Sequence, residues 1–142
     1  MFIGEYSHSL DNKNRMIIPA KLREELEGRF IITKGLDGCL YVYPLDEWKQ
    51  LAEKLKALPL TNKNARDFVR FFFSGASEID IDKQGRGLIP QNLIEYAGIT
   101  KDIISIGVLT KVEIWSKERW DQYNNETVDY NELAEKMREL GI

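Results

Sequence analysis

The pattern of apolar and polar positions indicates short strands alternating with short helices. Tyr6, His8 and Leu10 alternate with polar residues, as do Ile79 and Ile81, a period of two that is typical of strands. Two more strands are predicted in each half of the chain, at 30–34 and 39–43 and at 103–108 and 111–115. The pattern therefore predicts a β-rich domain of class α+β.

Helices are predicted where the apolar period changes from two to three or four. Pro19 and Pro90 are expected to open short helices, because proline is favoured in a first helical turn. The buried positions are Leu22 and Leu26 in one helix and Leu93 and Ala97 in the other, and Gly28 and Gly98 follow as stops. Further helices are predicted after Pro44, across 61–73, after Ser116, and behind an Asp129–Glu132 capping pair.

The two halves of the chain have similar sequences. "DNKNRMIIP" at 11–19 matches "DKQGRGLIP" at 82–90, and "LYVYPLDEW" at 40–48 matches "VEIWSKERW" at 112–120. The offset changes from 71 to 72 at one inserted residue, and we interpret the pattern as an internal duplication. A half of this length has a marginal core on its own. We therefore expect two halves that interlock around a pseudo-two-fold axis as a small barrel with short flanking helices.

A turn of the same composition occurs once in each half. It consists of an aspartate (Asp11, Asp82), a residue that tolerates positive φ (Asn14, Gly85) and an arginine (Arg15, Arg86). Aspartate suits the start of a turn because its carboxylate accepts hydrogen bonds from backbone N–H groups ahead of it. The turns are predicted to close hairpins with return strands at 15–18 and 86–89. The two arginines would then lie on one rim of the barrel.

Composition and charge set limits on the partner. The 142 residues are 43% hydrophobic and 30% charged, which is ordinary for one globular domain. A net charge of −3 disfavours a nucleic-acid partner, but the charge is unevenly distributed. Segment 11–23 holds four basic side chains and one acidic one, whereas 117–142 holds four basic and seven acidic ones. One basic face is therefore compatible with the sequence.

The remaining signals favour a cytoplasmic protein without enzymatic activity. No apolar run reaches the roughly 18 residues of a membrane helix, and the first residues do not resemble a signal peptide. The single Cys39 suits a reducing compartment and is predicted to lie in the core. His8 is predicted to be structural, and Asp80 with Asp82 lacks the further ligands of a metal site. We expect no cofactor, metal or small-molecule substrate.

The arginine turns allow two interpretations. An arginine leaving a hairpin turn can present a planar fork of donors to a phosphate or to guanine O6 and N7, and Lys13 and Lys83 would add contacts to the DNA backbone. Alternatively, each aspartate only pairs with its arginine across the turn, a surface interaction that contributes little to stability.

The segments "MFIGEYSHSLDNKNRMIIP", "YVYPLDEW", "FFFSGASEIDIDKQGRGLIP" and "VEIWSKERW" resemble the MraZ family of bacterial transcriptional regulators, in order and over nearly the whole chain. The resemblance implies two SpoVT-AbrB domains that form a swapped-hairpin barrel, here at 5–47 and 76–119, with a helical connection at 48–75 and a tail at 120–142. It also implies homo-oligomeric rings, association with the nucleoid, and binding to short G-rich direct repeats. Those repeats lie in the promoter of a division and cell-wall gene cluster, which the family's own gene heads.

The family motif falls on Asp11, Arg15, Asp82 and Arg86, and Asn14 replaces a glycine that is frequent at its position. The predicted DNA-binding residues are Arg15, Arg86, Lys13, Lys83, Lys21 and Arg23. The first arm, residues 11–23, is expected to contribute more to DNA affinity than the second arm, residues 82–90, because Lys13, Lys21 and Arg23 are near Arg15 in sequence. An AbrB-type protein-interaction or antitoxin-like module is the alternative, and the salt dependence of DNA affinity would separate the two.

Overall fold

A computed structural model describes all residues, 1–142. The strands are β1 (Glu5–Ser9), β2 (Arg15–Ile17), β3 (Arg29–Lys34), β4 (Leu40–Pro44), β5 (Ser77–Asp80), β6 (Arg86–Leu88), β7 (Asp102–Val108) and β8 (Lys111–Ser116). The helices are α1 (Ala20–Leu26), α2 (Leu45–Lys56), α3 (Lys63–Ser74), α4 (Gln91–Ala97), α5 (Lys117–Gln122) and α6 (Tyr130–Glu139). None of the helices combines the length and the apolar character that crossing a bilayer requires.

The main sheet is built by exchange between the two halves. Six antiparallel strands follow the order β1-β7-β8-β4-β3-β5. Strand β1 of the first half pairs with β7 of the second, and β5 of the second half pairs with β3 of the first. Each half therefore supplies the edge strand that the other half needs, and the α+β class predicted from the sequence is confirmed.

Strands β2 and β6 form a separate two-stranded antiparallel ribbon. This differs from the predicted hairpins, in which each return strand would pair along the strand before it. Within the first half only the single bridge Leu10–Met16 joins the return strand to the segment before the turn. The turns themselves do form, but the return strands pair with one another across the halves. A period of two identifies a strand without identifying its partner, which is why the sequence did not show this pairing.

One core joins both halves. A cluster of 19 buried residues includes Phe30 and Ile32 from the first half and Leu93 and Ile103 from the second. Burying apolar surface contributes about 25 cal/mol per Å², and this burial is available only when the halves are together. A second, aromatic cluster around Tyr41, Phe72 and Trp115 packs the other side of the sheet under the helices. The predicted buried positions Leu22, Leu26, Leu93 and Ala97 are confirmed.

The helix boundaries follow the predicted local signals with one exception. Pro19 and Pro90 immediately precede α1 and α4, and the Asp129 carboxylate caps α6 by accepting from the Asn131 and Glu132 N–H groups. Gly98 ends α4 in the left-handed conformation as expected. At the end of α1, however, Glu27 takes the left-handed cap position and Gly28 follows it.

Candidate nucleic-acid interface

The outer face of the β2–β6 ribbon brings the two predicted arginines together. The register pairs Arg15 with Leu88, Met16 with Gly87 and Ile17 with Arg86. Because side chains alternate across a strand, Met16 and Gly87 face the core, and Met16 is almost fully buried. Arg15, Ile17, Arg86 and Leu88 therefore share the opposite face, one arginine and one aliphatic residue from each half.

Gly87 allows the ribbon to lie close to the core. A Cβ atom at this position would come within 3.2 Å of both the Ile79 Cγ2 and the Phe30 Cζ atoms. Phe30 is fully buried beneath it. The ribbon is thus fixed against packed side chains of both halves, so its outer face is a rigid platform.

The first turn holds Arg15 in place through Asp11. One carboxylate oxygen, Asp11 Oδ1, accepts hydrogen bonds from the Lys13 and Arg15 backbone N–H groups, both at 2.9 Å. The other oxygen, Oδ2, accepts from Arg15 Nε at 2.7 Å. These bonds, chiefly the one from the Arg15 N–H, lower the pKa of Asp11.

The second turn repeats the arrangement. Asp82 Oδ1 accepts from the Gln84 N–H at 2.9 Å and the Arg86 N–H at 2.8 Å, and Oδ2 accepts from Arg86 Nε at 2.9 Å. The pKa of Asp82 is lowered, mainly by the bond from the Arg86 N–H. The ion pair of the simpler interpretation is therefore present in both turns.

The ion pairs do not occupy the arginines fully. Only Nε of each guanidinium bonds to the aspartate, and neither Arg15 nor Arg86 donates a hydrogen bond from its terminal nitrogens within the chain. Their side chains are 29% and 26% exposed. Each aspartate thus orients an arginine whose two terminal nitrogens remain available to a ligand.

Each turn is also fixed by the other half. Asn14, at φ 60°, donates from its amide nitrogen to Gln91 Oε1 at 2.9 Å, and Gln91 begins the second half's helix α4. Gly85, at φ 78°, lies against Arg23 from the first half's helix α1, and a Cβ atom on Gly85 would sit 1.6 Å from Arg23 Nη1. Gly85 therefore serves both the left-handed backbone and the close approach of Arg23.

The position of Arg23 corrects one expectation from the sequence. Its guanidinium lies at the second turn, whereas the sequence separation of eight residues had placed it with Arg15. The charge beside Arg86 is therefore that of Arg23 as well as Lys83. Lys13 is exposed in the first turn, Lys83 in the second, and Lys21 on α1.

The other candidate residues are engaged in structural contacts. His8 Nε2 lies 2.6 Å from Ser105 Oγ, and burial lowers the pKa of His8. The buried Cys39 thiol donates to the Leu36 carbonyl at 3.2 Å, and burial raises its pKa. Asp80 accepts from Arg29 Nε at 2.6 Å. No group of three or more His, Cys, Asp and Glu side chains is arranged to hold a metal ion.

Two aliphatic residues of the outer face were missed from the sequence. Ile17 and Leu88 are 59% and 58% exposed although they lie within strands. Each is two residues beyond a motif arginine, so the strand period alone placed it on the same face. This signal was present in the sequence, but an isoleucine and a leucine in a strand are ordinarily assigned to the core.

Comparison with known proteins shows which family the chain belongs to. The MraZ family model, described as "MraZ protein, putative antitoxin-like", matches residues 1–71 and 72–140. The chain is 71% identical over 142 residues to a "Transcriptional regulator MraZ" of Clostridium beijerinckii and 73% identical to one of Clostridium acetobutylicum, covering all of each chain. A protein of the same name from Caldicellulosiruptor bescii is 59% identical over 143 residues, again along the full length of both. The chain belongs to the MraZ family.

Proposed function

We propose that the protein is a sequence-specific, double-stranded-DNA-binding transcriptional regulator whose DNA-reading surface is the outer face of the β2–β6 ribbon. One observation carries the proposal: Arg15 and Arg86, from different halves, lie on one face of one ribbon with their terminal guanidinium nitrogens unbonded. This function involves no catalysis. The names of the relatives as transcriptional regulators support it.

The ribbon has the shape and the donors for major-groove recognition. The major groove of B-DNA admits a two-stranded β-ribbon, and arginine is the commonest partner of guanine O6 and N7. With Nε held by the aspartate, Nη1 and Nη2 of Arg15 and Arg86 form the fork that a guanine edge accepts. Because the aspartates and the packed ribbon hold these arginines in place, binding loses little side-chain entropy. A guanine-containing site follows from this chemistry.

The surroundings of the ribbon suit the other parts of a DNA site. Ile17 and Leu88 lie beside the arginines, and exposed aliphatic groups at a base edge contact the thymine methyl. Lys13 and Lys83 are exposed in the two turns and Lys21 is exposed on α1; with Arg23, these side chains would contact phosphates. Such contacts fix the position of a protein on the duplex without reading its sequence.

We further propose that the protein binds short direct repeats in the promoter of the division and cell-wall gene cluster, its own promoter included. The resemblance to the MraZ family supports this target, together with an AbrB-like swapped-hairpin barrel, a homo-oligomeric ring and a nucleoid-associated location in the cytoplasm. The exchange of β1 and β5 between the halves is compatible with the barrel. A ring would present several ribbons to successive repeats and so increase affinity through effective concentration.

A second function, binding another protein as an antitoxin-like module, is favoured by one observation. Ile17 and Leu88 form an exposed apolar pair on the same face, and apolar residues at the centre of a patch are typical of protein interfaces. Both functions would use the ribbon, but they differ in their dependence on salt. DNA affinity falls steeply with salt because phosphate contacts release counterions.

The test is a DNA-binding titration against the protein's own upstream region, at several salt concentrations. We expect saturable binding that weakens with salt and that is lost in the double variant Arg15→Ala, Arg86→Ala. Lys49→Ala, which removes an exposed positive charge from α2, is the control and should bind like wild type. Affinity no better than for unrelated DNA of the same length would contradict the proposal.

A further inference from the structure

An apolar groove lies between α2, α3 and the segment that joins them. It has a volume of about 450 Å³ and includes Leu55, Leu58, Leu60, Val69 and Phe73. Leu60 is 83% exposed and Phe73 43% exposed, so the groove has no occupant from its own chain. Its charged lining residues are all basic: Lys56, Arg66 and Arg70. Lys56 and Arg70 also form exposed ion pairs with Glu53 and Asp67 on their own helices, whereas Arg66 has no acidic partner.

Helix α6 leaves much of its apolar side exposed to solvent, with Leu133 44% and Leu140 72% exposed. Leu133, Met137 and Leu140 follow a spacing of four and three and lie on one face. No residue of α6 is buried and none belongs to either core cluster. An isolated helix of this length is only marginally stable in water, so α6 requires a surface to pack against.

The groove and the helix match in length and charge. Helices α2 and α3 have 12 residues each and α6 has 10, which correspond to about 18 Å and 15 Å. Segment 129–142 carries four acidic and two basic side chains, opposite in sign to the groove lining. Glu135 and Glu139 form no ion pair within the chain, whereas Glu132 pairs with Lys136.

We infer that α6 of one copy docks into the α2–α3 groove of a second copy of this chain, with its apolar face against Leu60 and Phe73 and its acidic side chains toward Arg66 and Arg70. This is the helix-in-groove mode of recognition. The inference deepens the self-association suggested under Proposed function, because it names the two surfaces that meet. Two different surfaces make the contact heterologous, so the copy that donates its helix keeps a free groove and the copy that accepts it keeps a free helix for further copies.

The experiment uses two full-length variants at exposed positions. Leu60→Asp places a charge in the groove, and Leu140→Asp places one on the helix, where the side chain is 72% exposed. Ile3→Asp, at a 68% exposed position on another surface, is the matched control. Light scattering coupled to gel filtration gives the mass of each protein alone and of Leu60→Asp mixed with Leu140→Asp in equal amounts.

We expect wild type and Ile3→Asp to have at least twice the mass of one chain, 16.5 kDa, and each of the other variants alone to be a monomer. The mixture should form dimers and stop there, because the Leu60→Asp copy keeps an intact helix and the Leu140→Asp copy an intact groove. Dimers in the mixture would also show that both variants are folded.

Two results would overturn the inference and identify what failed. If wild type is a monomer, whether because α6 packs on its own chain or because the groove takes another protein, both the contact and the proposed self-association are wrong. If wild type is oligomeric and the single variants keep its mass, or if their mixture stays monomeric, only this contact is wrong. DNA binding is measured separately, and its loss or retention bears on the ribbon alone.

Discussion

Substitution of Arg15 is the most direct test of whether the β2–β6 ribbon contacts DNA bases. Replacing Arg15 by lysine keeps the positive charge but removes the planar guanidinium. The single ammonium nitrogen of lysine cannot pair with Asp11 and also donate two parallel hydrogen bonds to a guanine edge. Replacing it by alanine removes charge and fork together. Neither change touches the core, because the Arg15 side chain is bound only to Asp11. We therefore expect thermal unfolding of both variants to stay close to that of wild type.

The structure sets the size of the effect. One bidentate arginine–guanine contact is worth about 1–3 kcal/mol, which corresponds to a loss of roughly 5- to 150-fold in affinity. The same range applies to Arg86, because Asp82 holds it in the same way. The structure also removes part of the reason for expecting the first arm to dominate, since Arg23 lies at the second turn. We now expect Arg15→Ala and Arg86→Ala to weaken binding to a similar degree.

The dependence of DNA affinity on salt concentration distinguishes contacts to bases from contacts to phosphates. Each phosphate contact contributes roughly 0.9 to the slope of log affinity against log salt. Arg15→Lys should therefore lose affinity for the operator with an unchanged slope and should bind unrelated DNA like wild type. A Lys13→Ala variant should show the reverse: a flatter slope and a preserved preference for the operator. Operator affinity of Arg15→Lys equal to that of wild type would refute the assignment of a base contact to this guanidinium.

Three further outcomes concern the fold. Gly85→Ala should lower the free energy of unfolding by about 1–2 kcal/mol, because it forces a residue with a Cβ atom into the left-handed region and displaces Arg23. Asn14→Gly, at the equivalent position of the first turn, should lower the free energy of unfolding by less. Equal losses of the two variants in chemical denaturation would contradict this. Burial lowers the pKa of His8, so the unfolded state takes up a proton at a higher pH than the folded state does. Stability should therefore fall as pH drops below about 6.5, by at most about 1.4 kcal/mol per pH unit. His8→Gln should flatten the dependence of stability on pH just below 6.5, and an unchanged curve would exclude His8 as the cause. A fragment 1–71 lacks the partners of β1, β2 and one edge of β3, so a monomeric fragment with a cooperative melt would be evidence against interlocked halves.

Much of the local structure could be predicted because its causes are local. The prolines before α1 and α4, the Asp129 cap and the period of two in β1 act within a few residues of themselves. The Asp-x-x-x-Arg spacing likewise predicted both turns, since an aspartate carboxylate accepts hydrogen bonds from the backbone N–H groups that follow it in any context. The sequence therefore sufficed to select Arg15 and Arg86 as candidate residues, and their role in DNA binding stays a prediction.

The partners of these elements could not be read in the same way. The sequence did not show that β2 pairs with β6 or that Arg23 reaches Gly85. Each depends on residues about 60 to 70 positions apart, and a strand's periodicity is the same whichever strand it pairs with.

The sequence by itself determined the elements, the repeated turn and its two arginines, because propensity, capping and turn chemistry act over short distances. Only the tertiary structure decided that the arginines of the two turns lie on one face of a single ribbon. The shared core is the cause. Met16 and Gly87, from opposite halves, both face it, where Gly87 lies against Phe30 and Met16 belongs to the same buried cluster. Burial of this apolar face holds the return strands side by side. Arg15 and Arg86 lie on one face because Met16 and Gly87 are paired on the opposite, buried face of the same ribbon.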